Sequence, residues 1–536
     1  MEILSTRCCL RPGLAETNNV RFHANMKFPE AWRSRLAQLS DERFYLLLLI
    51  AAALIAAAMT TYIGLSLDRN FVTVACDTAA FQNTIVNTLD GRWFRDTAYD
   101  GPNLLGLHPT FIIAPLSLLY AVAPSTNTLF ILQITGVWST VIPLYLISVI
   151  RLRQPASAFL VAMLALASPL LLEMAWAPFH PETWILAGVL WSYYFYLRNR
   201  PTGFWLSLAF ALCCGEQAAL IYATLGATWL LFDDGLAWRR RYGVYALAAG
   251  LGWLALTMGV VVPLLHHPGQ RNLVSYNYAN FDAHSFPELA LHVAQNPLET
   301  IFYMLSPGML IHFVGLIGVP LILAASSRRT LLLLAPFFAY FLMTDQEIFL
   351  YFHAYYFQFA YLAAYLALIG FLSRHPLAAR QTIFVLGTTF FVNVLSLTVS
   401  AGVYIGRDMV GIDSLNPVLH EVFAKIPVEA GVYTPHRYSA YLSNRENMVM
   451  GDLADPDLDF DAMLNARFDT TTVRPDQIDY IVCDLINDQC GWRQAGYDAD
   501  KIKQRVANIA RLVKSGKWQT FWNQHDVVIL RRTPER

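Results

Sequence analysis

Residues 44–66 read FYLLLLIAAALIAAAMTTYIGLS, 23 positions without one charged side chain. A helix rises about 1.5 Å per residue, so this stretch can cross the roughly 30 Å hydrocarbon core of a bilayer with its backbone hydrogen bonds closed internally. Runs of similar character recur at 128–150, 156–173, 183–197, 203–214, 218–232, 243–265, 308–325, 330–343, 353–372 and 382–403. The pattern predicts an α-helical polytopic membrane protein with about 11 transmembrane helices. Composition agrees. Of 536 residues, 56% are apolar and 14% charged, against roughly a quarter charged in ordinary soluble proteins. A formal net charge of −1 offers no basic field for nucleic acid. Neither G-x-x-x-x-G-K-[ST] nor a G-x-G-x-x-G after a strand is present, so no nucleotide cofactor is expected.

Lys and Arg near span ends are retained on the cytoplasmic side, which orients the chain. The tail up to Arg43 holds seven of them, and the turns with Arg151, Arg153, Arg198, Arg200, Arg239, Arg240, Arg241, Arg328, Arg329, Arg374 and Arg380 hold eleven more. The opposite loops hold four: Arg69, Arg92, Arg95 and Arg271. Residues 1–43 are therefore expected in the cytoplasm, and the loops rich in acids, among them Asp77, Glu182 and Glu216, outside. The first run lacks a small-residue cleavage site and reads as an anchor rather than a removable signal. The protein is thus placed in the cytoplasmic (inner) membrane as a multi-pass chain. The apolar segment 109–123 is short, and counting it as a crossing would move Arg151 and Arg153 outside. It reads instead as an interfacial or re-entrant helix. The apolar stretch 203–232 is broken by Gly215-Glu216-Gln217, which fits a tight outer turn.

After residue 403 the composition becomes that of a water-soluble domain. Within 404–536, Gly431–Thr434, Met448–Met450, Tyr480–Cys483 and Val527–Leu530 read as short strands. Asp413–Lys425, Asp457–Arg467 and Asp500–Lys514 read as helices. The expectation is an extracytoplasmic α/β domain, in which Cys483 and Cys490 either close a small disulfide or remain thiols.

Chemistry is expected on the outer side. Loop 67–107 is long for a structureless connection, yet from Asp77 onward Ala80, Phe81, Thr84, Ile85, Thr88 and Leu89 fall on one helical stripe that Gly91 ends. Asp77 then opens a helix just beyond the first span. It is either an N-cap for orphan amide hydrogens or a carboxylate base at a membrane-surface site. His108, His180 and His353 each end an apolar segment on the same side. Imidazoles there can donate to phosphate, move protons or bind metal, although each taken singly also fits a hydrogen-bonded structural histidine. With Asp77 and Glu216 these histidines make a divalent metal ion conceivable as a cofactor, though no helical i, i+4 ligand pair supports one. Arg92 and Arg95 are cations suited to clamping a phosphate or to ordinary solvation. The aromatic stretch around Tyr355 either stacks on a sugar ring or belongs to the interfacial belt.

The string Asp77-Thr78-Ala79-Ala80-Phe81-Gln82-Asn83-Thr84-Ile85-Val86-Asn87-Thr88-Leu89-Asp90-Gly91 resembles the D-L-x-x-F-x-Q-x-x-W-N-T-L-x-G opening of the bacterial and archaeal membrane proteins called domain of unknown function 2079. Further motifs follow in that family's order. His108-Pro109 resembles its loop histidine, Phe179-His180-Pro181 its F-H-P, and Leu442-Ser443-Asn444-Arg445 the L-S-N-R of its soluble tail. Where the family typically shows K-E-D, Glu216 matches while Gly215 and Gln217 depart. The layout also resembles the C-type glycosyltransferases (GT-C fold): first span, acidic residue opening a loop helix, the Gly91-Arg92-Trp93 element, an interfacial helix, then many spans.

That resemblance implies transfer of a sugar from a polyprenyl-phosphate carrier to an envelope glycan, lipid or protein acceptor. Asp77, His108 and Glu216 would serve catalysis, and Arg92, Arg95, His180, His353 and Tyr355 would bind substrate. Two other classes stay open. One is a transporter or flippase of a lipid-linked or amphipathic solute, against which stand charges at span ends rather than the midplane and the lack of a repeat. The other is a non-catalytic envelope assembly factor whose tail binds a partner.

Overall fold

The computed structural model describes residues 41–69, 71, 75–98, 101–176, 178–232, 237–267, 273–304, 329, 332–335, 358–374, 387, 416–455, 458–467, 473–486 and 498–534. Predicted spans 308–325, 330–343 and 382–403 lie wholly or mostly outside them, as do His353, Tyr355 and Cys490.

The apolar run 44–66 lies within helix α1 (Asp41–Arg69). Asp41 and Glu42 sit in its first turn and Arg69 in its last, complementing the helix dipole. Leu47, Leu48, Leu54, Ile55, Met59 and Tyr62 remain exposed along it, as expected of a helix whose solvent is lipid. The connection that follows α1 supplies α2 (Ala75–Leu89), and segment 109–123 supplies the short α3 (Ile113–Tyr120). Helices α4 (Thr126–Ser139) and α5 (Val141–Leu152) run on as one 27-residue span, the most enclosed of the long apolar helices. Next come α6 (Pro155–Leu166) and α7 (Pro169–Trp176), bent by 56° at the break that Pro169 imposes. They are followed by α8 (Ile185–Leu197), α9 (Pro201–Cys214), α10 (Gln217–Phe232) and α11 (Ala237–Leu256), the last continuing through a π turn to Leu265. Helix α12 is Gln358–Arg374.

Among the described residues, Asp41–Ser66, Thr126–Leu152 and Ala237–Leu265 are long and apolar enough to cross a membrane, and the bent pair α6–α7 makes a fourth crossing if counted as one span. Helices α9, α10 and α12 are apolar but shorter. One apolar core runs through α1 to α12. Where α10 meets α11, a Cβ on Gly226 would fall 2.4 Å from the Leu247 nitrogen, so glycine is what lets the two backbones touch.

The tail is a five-stranded mixed sheet in the order β2-β1-β3-β5-β4, with β1 Val432–Thr434, β2 Met448–Met450, β3 Tyr480–Asp484, β4 Trp518–Gln524 and β5 Val527–Arg532. β1 runs parallel to β2 and β3, while β5 is antiparallel to β3 and β4. His525 and Asp526, both at positive φ, make the two-residue turn of the β4–β5 hairpin. Helices α13 (Asn416–Phe423), α14 (Phe460–Arg467) and α15 (Ala499–Lys514) complete the domain. Of the two alternatives for Cys483, the thiol is found: it lies buried in β3 without a disulfide, whereas Cys76 in α2 is disulfide-bonded.

Arg505 of α15 is buried and reaches Asp452 through two bonds of 2.7 and 2.8 Å while also donating to the Leu485 carbonyl. Removing one partner of such a pair leaves an uncompensated charge, so Arg505→Ala is expected to destabilise the tail by about 3 kcal/mol. Limited proteolysis of the full chain in detergent should then cut first within the tail; an unchanged cleavage pattern would count against that role.

Candidate functional site

The stripe read from the sequence holds α2 in place: Phe81 and Ile85 are buried in the main apolar core, and Gly91 at φ +83° ends the turn that follows. Because α2 begins at Ala75, Asp77 stands inside its first turn rather than at the cap, where the helix dipole still favours a negative charge. Its side chain is partly exposed, at 31%.

Phe179-His180-Pro181 is fastened against that turn. The Phe179 amide donates to Thr78 Oγ1 at 2.8 Å, and the His180 amide to Gln133 Oε1 of α4 at 2.6 Å. His180 Nδ1 donates to the Pro178 carbonyl at 2.9 Å, which fixes the tautomer and leaves Nε2 facing Asp77 Oδ2 at 3.6 Å. Phe81 meets the rings of both Phe179 and His180 edge-on.

A second group adjoins the first. His108 follows the buried turn Leu104–Gly106, and its segment is tied to the end of α9 by the bond from the Ile112 amide to the Cys213 carbonyl at 2.9 Å. That tie brings His108 Nδ1 within 3.8 Å of Glu216 Oε1, in the turn between α9 and α10. Glu182, from the short turn Pro181–Trp184, closes the group. Burial works against charge on His108, but the carboxylates of Glu216, Glu182 and Asp77 outweigh it and push its pKa up to about 9. Burial first, and then Glu216, raise the pKa of Glu182, opposed by His180 and His108. Five titratable groups from four separate stretches thus make one electrostatically coupled patch.

Sequence reading placed Glu182 only among the outer acids. The available signal was its position directly after His180-Pro181.

Arg92 and Arg95 face elsewhere. Arg92 donates to Asn87 and Asp90 and lies 3.7 Å from Glu446; Arg95 donates to Asn87, Glu446 and Asn447. Both therefore bind the tail to the end of α2. The L-S-N-R turn contributes to the same junction. Buried Arg445 donates to the carbonyls of Leu442, Pro427 and Ala430, and Asn83 of α2 donates to the carbonyls of Arg445 and Glu446. Thr97 and Met448 exchange two further bonds of 3.0 Å. Cys76, Ala79 and Ala80 of α2 pack with Ala98, Met448 and Met450 as a small core between loop and tail.

The helical layout and this loop define a membrane protein of the C-type glycosyltransferase fold. The family model described as "Predicted membrane protein (DUF2079)" matches residues 69–529, and the chain belongs to that family. Among solved structures it is similar to ArnT from Cupriavidus metallidurans bound to undecaprenyl phosphate, with a TM-score of 0.51 and 11% identity over 91% of this chain and 98% of that one. The apo state of the same protein gives a TM-score of 0.51 and 13% identity over 92% and 98%. No curated protein matches the chain. The fold expected from the sequence is the one found.

Proposed function

We propose that the chain is a glycosyltransferase of the cytoplasmic membrane that moves a sugar from a polyprenyl-phosphate carrier to an envelope acceptor at the outer face. The observation that carries this reading is the Asp77 carboxylate, partly exposed on a loop helix and close to an oriented His180, beside the half-buried His108 and the buried Glu182 and Glu216. Asp77 accepts the proton of the acceptor hydroxyl as that oxygen attacks the anomeric carbon. The bond from that carbon to the phosphate oxygen breaks, and its electron pair leaves with the carrier phosphate. His180 flanks Asp77 at 3.6 Å, and His108 with Glu216 sets the charge beside the departing phosphate. The similarity to a structure containing undecaprenyl phosphate supports a polyprenyl-phosphate partner, and the distribution of Lys and Arg supports a cytoplasmic N-terminus with the tail outside.

The test compares lipid-linked sugars and surface glycans by mass spectrometry in cells with and without the chain. Loss of one sugar addition together with accumulation of its lipid donor is the expected result, and the missing sugar names the substrate. Unchanged glycans and unchanged donor pools would sink the transferase reading.

A further inference from the structure

We propose that His108, Glu182 and Glu216 form a binding site for one divalent cation of the Zn²⁺ or Mn²⁺ class. One donor atom from each lies within 4.8 Å of the other two. His108 Nδ1, Glu182 Oε2 and Glu216 Oε2 are all buried atoms without a hydrogen-bond partner. Orphaned buried polar atoms are rare, because desolvation without a compensating bond is unfavourable. Here the three belong to one cluster of side chains, and Glu182 and Glu216 are only 3% and 4% exposed. Two carboxylates in such a place call for positive charge, and the single imidazole 3.8 Å from Glu216 supplies at most one.

The backbone is arranged to bring these groups close. A Cβ on Gly215 would fall 2.8 Å from Glu182 Cγ, so the absence of a side chain there is what admits Glu182 to the turn that carries Glu216. Ligands about 2.0–2.2 Å from a zinc-type ion lie roughly 3–4 Å apart, so side-chain shifts of about 1 Å complete the shell. One imidazole nitrogen with two carboxylate oxygens suits Zn²⁺ or Mn²⁺ better than Ca²⁺ or Mg²⁺, which prefer all-oxygen cages. The neighbouring Cys214 is not needed, since its thiol donates to the Phe210 carbonyl. Three protein ligands leave a coordination position open, and the His108 side chain, 31% exposed, marks the edge through which a ligand can enter. Resting on the transferase reading, the group that takes this position is a phosphate oxygen of the lipid donor, which the cation would orient and whose charge it would offset as the carrier leaves.

The full-length protein, purified in detergent and stripped with chelator, is titrated calorimetrically with ZnCl₂ and MnCl₂, and bound metal is counted by elemental analysis. One equivalent is expected, with a rise in thermal midpoint that needs no variant to detect. Glu182→Gln and Glu216→Gln keep shape and remove charge, and each should weaken binding by about 100-fold or more, beyond the loss usual for an outer-shell partner. Asp77→Asn should bind metal as the wild type does. A wild type that binds no cation, or Gln variants that bind it unchanged, overturns the site and leaves two carboxyls sharing a proton. Chelated protein that still transfers sugar and binds no metal removes the site while the transferase reading stands. Metal bound as expected together with no sugar transfer by the wild type does the reverse.

Discussion

Asp77→Asn is expected to lower sugar transfer by about 10²–10⁴-fold, the range removed when a positioned general base loses its basicity. The substitution keeps the size of the side chain and its ability to face His180. It does not touch the residues that hold α2: Phe81 and Ile85 in the apolar core, Thr78 against the Phe179 amide, and Asn83 and Asn87 against the tail. Membrane abundance and proteolytic protection of the tail should therefore match the wild type. Lipid donor should accumulate to the level seen without the chain. The rate is read in membranes at matched protein levels with the lipid donor in excess, so that a change in donor affinity does not mimic a change in chemistry. Full transfer by Asp77→Asn would remove the base and, with it, the main reason to treat α2 as a reacting element.

Periodicity made α2 legible, since Phe81, Ile85 and Leu89 recur at helical spacing and Gly91 ends the run. Strands β1, β2, β3 and β5 were legible as short apolar runs within a polar tail. β4 was not, because Trp518–Gln524 is an edge strand with a mostly solvent-facing surface and no continuous apolar run. Helix breaks inside apolar stretches were partly hidden as well. The bend between α6 and α7 rests on Ser168-Pro169, two residues inside what reads as one span.

At the site, depth along the spans groups His108, His180 and Glu216 with Asp77 in the sequence itself, because residues at the same end of neighbouring spans share a membrane face. Long-range partners carry no such signal. Arg92 and Arg95 look like phosphate clamps until Glu446 and Asn447, about 350 positions away, are placed against them. Glu182 was visible as an acid, but its convergence with His108 and Glu216 depends on the Ile112–Cys213 backbone bond and on the lack of a side chain at Gly215.

Arg445→Ala is expected to cost transfer nearly as much as Asp77→Asn although Arg445 lies outside the Asp77 cluster. Arg445 is 5% exposed and its guanidinium donates to three backbone carbonyls, so truncation leaves those acceptors without their partner in a buried turn. A lost charged hydrogen-bond donor of this kind destabilises by about 3 kcal/mol. Burial holds the pKa of Arg445 down, at about 10, which fits a side chain kept inside for its bonds rather than for a solvated charge. The same turn presents the carbonyls of Arg445 and Glu446 to Asn83, and Asn83 Oδ1 accepts from the Thr97 amide. Loosening it should release the tail from α2 and let the first turn of that helix drift from His180. A milder companion, Asn83→Ala, removes the two bonds that Asn83 of α2 gives to the Arg445 and Glu446 carbonyls and leaves the Arg445 turn intact. If the tail positions α2, both variants lose transfer, both expose the 445–450 segment to protease, and Asn83→Ala does so with the rest of the tail still protected. Tails freed from α2 in both variants with transfer undiminished would mean that the loop helix keeps its geometry from the membrane core alone.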